Sequence, residues 1–149
     1  MKKREKSNLY ISTQFILKME QFILEINIFS NIYLIAISIM VQFIIYPSFK
    51  NYSESTFKSF HSAYTKKMLF IVGPIMILEL LSTLYLFINN SFLFPTSIVT
   101  LIWLITFFLI VPLHQSLNSS FNIRNHKKLL RLNFLRSTFW VLKLLLILV

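Results

Sequence analysis

Cysteine and aspartate are missing from this chain, glycine occurs once, and all five acidic residues are glutamates. Without cysteine there are no disulfides, thiolate metal sites or cysteine nucleophiles. Without aspartate a Ser–His–Asp set is excluded. A single glycine, Gly73, cannot build a glycine-rich phosphate cradle, and no HExxH pattern occurs. Charge is scarce as well: 13% of residues are charged, about half of what a soluble domain carries. Soluble-type hydrolases, kinases and dehydrogenases are therefore set aside.

What is present is apolar. Hydrophobic residues make up 56% of the 149 residues, with 16 phenylalanines, and the mean hydropathy is +0.68. The length fits one domain. The apolar residues come in runs too long to bury in a soluble core. Four of them, at about 26–49, 61–89, 94–117 and 129–149, each have roughly the 20 residues needed to cross a hydrocarbon core of ~30 Å. The pattern predicts an all-α fold, an integral membrane antiparallel four-helix bundle. The fourth run carries Arg131, Arg136 and Lys143. Residues 1–25 read as a basic tail and an interfacial amphipathic helix leading into the first span. They lack the uninterrupted apolar core and cleavage site of a secretory signal. No internal repeat stands out.

Antiparallel threading puts two polar connections, 50–60 and 117–128, on one side, here called side B. Eight Lys and Arg residues fall there, against five on the side of the N-terminal tail, so side B reads as cytoplasmic. The net charge of +10 matches anchoring to anionic lipid, with the bilayer as partner. Nucleic acid is not an expected partner, because the basic residues flank spans. His126 falls in the second connection and is expected to be solvated.

Polar residues inside spans are expensive and mark function or pairing. On span two, His61, Tyr64, Met68, Glu79 and Ser82 share a face by helical spacing; on span three, Thr100, Trp103, Phe107, Ile110 and His114; on span four, Asn133, Arg136, Trp140 and Lys143. Span one adds Asn31, Ser38, Gln42 and Tyr46. Tyr46, His61, Tyr64, His114, Asn133 and Arg136 all fall towards side B. Glu79 and Lys143 lie deeper, each ~20 Å in from side B at ~1.5 Å per residue. An unpaired charge costs roughly 3 kcal/mol at the span centre, so these two are expected to form an intramembrane ion pair or a neutral hydrogen-bonded pair. Pro74 and Pro112 withdraw the helical partners of the Phe70 and Phe108 carbonyls.

The candidate catalytic residues are His61, Tyr64, His114 and Arg136. Gln42, Tyr46, Trp103, Asn133 and Trp140 are expected to line the same pocket. His61 and His114, from different helices at similar depth, are also the candidate ligands for a haem or a copper ion; two histidines alone are an incomplete set for most metals. The plainer alternative is a pair of hydrogen-bonding interfacial histidines. An enzyme requires both histidines to face a cavity. A non-catalytic subunit, lipid-binding protein or small carrier would have them paired to each other with no cavity.

Tyr46-Pro47-x-Phe49, Phe60-His61-x-x-Tyr64, Pro74 with Glu79, Val111-Pro112-x-His114-x-x-Leu117, and Asn133-x-x-Arg136-Ser137 with Trp140 resemble a group of small, uncharacterised bacterial four-helix membrane proteins. The likeness spans about residues 46–143. More distantly, the Asn-x-x-Arg-Ser element is similar to the anthrone-oxygenase-like family of membrane proteins. That resemblance implies a bacterial inner-membrane location and cofactor-poor oxidation of an aromatic, hydrophobic small molecule. It assigns no catalytic residue.

Overall fold

A computed structural model describes residues 2–90 and 92–149, with side chains from Ser12 onward apart from Glu54 and Asn90. The basic side chains of the N-terminal tail and the turn residue Ser91 lie outside that description. All secondary structure among the described residues is helical. Four rods follow one another: α1 (residues 2–51), α2 (Glu54–Asn90), α3 (Leu93–Ser119) and α4 (Ile123–Leu148). The first three are long and apolar enough to cross a membrane. The fourth is not, because its charges interrupt the apolar run.

Side-chain pairs fix the packing. Asn27 meets Ser82 and Thr83 while Tyr46 and Phe49 meet Tyr64 and His61, so α1 and α2 run antiparallel. His61 meets His114 and Asn118 on α3, Thr106 on α3 meets Arg136 on α4, and Asn133 returns to Gln42 on α1. Each helix therefore touches two antiparallel neighbours in an up-and-down bundle. The surface is apolar: Leu69, Phe70, Phe43 and Phe108 are each more than two-thirds exposed. The interior holds Asn27, Asn31, His61, Glu79, His126, Asn133 and Lys143, all fully buried. That inverts the distribution of a water-soluble domain.

Several boundaries differ from expectation. Residues 8–25 form no separate amphipathic helix; Lys2–Met40 is one uninterrupted element. The polar connections are also shorter than expected. Ser53 accepts a hydrogen bond from the Thr56 amide at the start of α2, and Asn122 caps α4 by accepting from the amides of Arg124 and Asn125. Short polar residues at these positions satisfy amides that a helix start leaves open. The second cap corrects the reading of His126. It is not a solvated loop residue but a buried residue in the first turns of α4.

Two π-helical turns interrupt the bundle, Val41–Ile45 in α1 and Thr106–Ile110 in α3. Each closes with a wide bond, from the Tyr46 amide to the Val41 carbonyl and from the Val111 amide to the Thr106 carbonyl. One residue further on stand Pro47 and Pro112, whose rings cannot donate. The extra residue turns the following face by about 100°. This breaks the predicted stripe on α3. Before the turn Ile98, Val99 and Ile102 are buried, while Thr100 is exposed; after it Ile110, Leu113 and Leu117 are buried.

An internal repeat, unexpected from the sequence, follows from this punctuation. The π turn, the proline and an inward histidine recur 65 residues apart (41 to 106, 47 to 112, 61 to 126). The contacts repeat as well. His61 of the first hairpin reaches the end of α3, and His126 of the second reaches the end of α1. The two hairpins thus share a spacing and a contact pattern that residue identities largely conceal.

Candidate functional site

The polar interior divides into two tiers. In the tier towards side B, four groups form a hydrogen-bonded line. Asn118 Oδ1 lies 2.6 Å from His61 Nδ1, His61 Nε2 lies 3.0 Å from His114 Nδ1, and His114 Nε2 lies 3.1 Å from the Tyr46 hydroxyl. The amide oxygen only accepts, which gives the line a direction. His61 donates from Nδ1 to Asn118, His114 donates from Nδ1 to His61, and Tyr46 donates its hydroxyl proton to His114. Both imidazoles are neutral in this arrangement. The Tyr64 phenol lies close enough to that of Tyr46 for the two to act on each other.

Phe49 packs this line from behind. It is completely buried, with its ring edge-on to those of Phe57, Phe60, His61 and Tyr64 at centroid distances of 5.3–6.2 Å. His126 holds the same helix end, its Nε2 donating to the Tyr46 carbonyl at 2.7 Å. Burial, with Lys50 nearby, keeps the His126 imidazole below its ordinary pKa, while the bond to the Tyr46 carbonyl opposes that shift.

A second line crosses the bundle. Asn133 Nδ2 donates to Gln42 Oε1 at 2.9 Å, and Arg136 donates to Asn133 Oδ1 at 2.8 Å. The Arg136 guanidinium lies 5.0 Å from the Trp140 ring centroid. Trp140 Nε1 donates to Glu79 Oε2 at 3.1 Å, and Lys143 Nζ lies 2.8 Å from Glu79 Oε1. Glu79 and Lys143 are fully buried and are the one ion pair among the described residues. Asn31 donates to the same carboxylate, and Ser38 and Ser137 share a hydrogen bond one level up.

Between the helices of the side-B tier lies a cavity of about 470 Å³, within the range of small-molecule sites. Its walls are apolar, from Leu34, Val41, Met68, Val72 and Ile110, with Tyr46, Tyr64, His114 and Arg136 as polar groups. Lining residues that are also exposed mark the mouth. They are Lys66 and Leu69 on α2 and Phe107, Val111 and Gln115 on α3, so the cavity opens sideways between those helices. Gly73 lies in the wall, where a Cβ would meet only Leu69 Cδ1 at 3.6 Å.

The predicted residues are thus placed unequally. Tyr46, Tyr64, His114, Arg136 and Trp140 line the cavity. His61 stands behind His114 and does not. Gln42 and Asn133 are outside the walls because they bond each other across the α1–α4 seam. Trp103 is outside because it packs beside Phe107 and the deeper apolar cluster. Asn118, Phe49, Thr106 and His126 belong to the site or its support and were not selected from sequence. Asn118 follows His114 by one helical turn, which is the signal that points to it.

A haem or copper ion fits this donor set poorly. All four ring nitrogens of His61 and His114 are engaged by Asn118, Tyr46 and each other. Imidazoles in mutual hydrogen bond leave no room for a metal between them. No group of three His, Cys, Asp or Glu side chains able to hold a metal occurs among the described residues. Comparison with known protein families, curated proteins and solved structures gives no match to this chain; what the site can do therefore rests on its own geometry.

Proposed function

We propose that this chain is an integral membrane protein, with α4 as a fourth span whose Lys143 is buried against Glu79 and whose Arg136 faces the bundle interior, and that it takes a hydrophobic small molecule into the lateral cavity. The apolar surface, the three long apolar helices and the buried Glu79–Lys143 pair support the first part. The location in this reading is a bacterial inner membrane, as the resemblance to small bacterial membrane proteins implies, and the charge distribution favours side B as its cytoplasmic face. The substrate in this reading is aromatic or quinone-like, and the protein is an oxidoreductase- or oxygenase-like enzyme whose own residues handle protons. The observation that carries it is the line Asn118–His61–His114–Tyr46, which ends on the cavity wall. His61 holds His114 in one tautomer, and His114 Nε2 is set to take the Tyr46 hydroxyl proton as that oxygen in turn takes one from a bound molecule. If the Asn118 amide turns over, every bond in the line reverses.

A non-catalytic binding protein or carrier is the second reading. It is favoured by one observation: the two histidines bond each other, with only His114 at the cavity.

The test uses Trp140, which lines the cavity. In a Trp103→Phe variant it is the only indole, since the chain has two. Titration with a short-chain naphthoquinone in mild detergent is expected to quench it saturably. Gly73→Leu, which fills the wall, is expected to abolish saturation while the protein stays monodisperse. Linear, unsaturable quenching that is the same in both proteins would remove the cavity from any function. Given binding, His114→Phe separates the two readings. Turnover of the bound molecule lost with binding kept supports the enzyme; no turnover by the wild type under any electron donor supports the carrier.

A further inference from the structure

Arg136 has no anion. Its terminal nitrogens meet neutral groups only, Asn133 Oδ1 at 2.8 Å and Thr106 Oγ1 at 3.5 Å, and its plane lies over Trp140. Its Nε is buried without any partner. The nearby carboxylate cannot serve. Both oxygens of Glu79 are taken, one by Lys143 and Asn31 and the other by Trp140. Arg136 forms no ion pair among the described residues. A guanidinium does not deprotonate, so a fixed positive charge is left uncompensated inside the bundle. The side chain is part-buried and is tied inward by its bond to Asn133, which is fully buried.

That charge faces the cavity. The lining contains two cations, Arg136 and Lys66, and no acidic residue. Arg136 is on α4, across the cavity from the α2–α3 mouth, and Lys66 is at the mouth itself. A molecule entering from the side meets a positive potential at both ends of its path. The remaining wall is mainly aliphatic and aromatic, with Ser38, Thr65, Thr106, Gln115 and Asn118 as further uncharged polar groups, and it suits an apolar body with one polar head. Tyr46 and Tyr64 place hydroxyls near Arg136, close enough for the charge to act on both.

We infer that the ligand of this cavity is an amphiphilic anion, an apolar body with one planar oxyanion head, a carboxylate or an ionised hydroxyquinone, held by the Arg136 guanidinium. The inference rests on the proposed small-molecule site and specifies its ligand class. The head supplies the counter-charge the protein lacks, and the guanidinium fork presents parallel donors to two oxygens. Release of the ligand leaves Arg136 uncompensated, so occupancy and bundle stability are linked.

Two matched pairs of probes test it by quenching or stabilisation of the Trp103→Phe protein: 2-hydroxy-1,4-naphthoquinone against its neutral 2-methyl analogue, and oleate against oleyl alcohol. The wild-type site is expected to bind the anionic member of at least one pair about tenfold or more tightly than the neutral one, the scale of one charge-assisted hydrogen bond. Which pair shows the larger ratio identifies the source of the oxyanion. Arg136→Gln is expected to erase the ratio while neutral binding persists. Arg136→Lys keeps the charge without the fork and is expected to retain a smaller ratio. Equal affinity within both pairs in the wild type overturns the inference and leaves the cavity reading intact, as does a ratio unchanged in Arg136→Gln. That comparison needs no change at Arg136. Failure of all four probes to bind overturns both.

Discussion

The two tiers of the bundle use similar side chains to opposite ends. In the deeper tier Glu79, Lys143, Trp140, Asn27 and Asn31 close on one another, and both carboxylate oxygens are occupied. In the side-B tier the histidines, tyrosines and Arg136 line or back a cavity of about 470 Å³, and Arg136 lacks a counter-charge. Buried polarity alone does not make a site. The space left beside it and an unbalanced charge do. The π turns create that difference on α1 and α3, since each one re-aims the residues that follow it, Tyr46 in one hairpin and His114 in the other.

The largest expected effect breaks the sealed tier. Glu79→Gln or Lys143→Met alone leaves a buried charge unpaired and should cost about 3–5 kcal/mol in detergent thermal unfolding. The double variant should recover much of that loss. Additive losses in the cycle would mean that the two groups are not held as a pair. A methyl group offers the next contrast. Ser30, fully buried in the deeper tier, should resist Ser30→Thr at a cost of about 1–3 kcal/mol. Gly73→Ala, in the cavity wall, should instead stabilise α2 by about 0.5–1 kcal/mol. Equal effects at both positions would show that the tiers are packed alike.

The smallest effect concerns His126, which braces the side-B end from the start of α4, ahead of the apolar run at 129–149. Its folded pKa lies below the ordinary 6.5, so the folded state binds fewer protons than the unfolded one as the pH falls. Its contribution is complete above pH 6.5 and is lost on acidification below it. Melting temperatures from pH 8 to pH 5 should decline less steeply in His126→Gln than in the wild type, with about 1 kcal/mol lost at neutral pH for the missing hydrogen bond. Parallel slopes would remove His126 as the acid-sensitive brace.

Much of this was legible from residue order. Helical spacing and depth bring Glu79 to Lys143 and His61 to His114, because a helix fixes both the face and the rise of each residue. Spacing misleads at Thr100 and Trp103, where it assumes an unbroken 3.6-residue period through a segment that contains a π turn. It misleads at His126 for a different reason. Hydropathy lengthens the connection, whereas the Asn122 cap starts α4 early enough to turn that histidine inward. The 65-residue repeat escapes residue comparison because it is carried by backbone punctuation and one histidine, with little shared side-chain identity.

The sequence by itself determined an all-helical chain with an apolar exterior and a polar stripe on each helix, since periodicity and composition leave no other way to bury those groups. Only the tertiary structure decided which stripes pair their charges with one another and which surround empty space. That choice depends on how the two hairpins pack and on where each π turn rotates its helix, quantities that no single helix encodes. It also decided that Arg136, one polar residue among many in the sequence, meets the cavity with no counter-charge among the described residues.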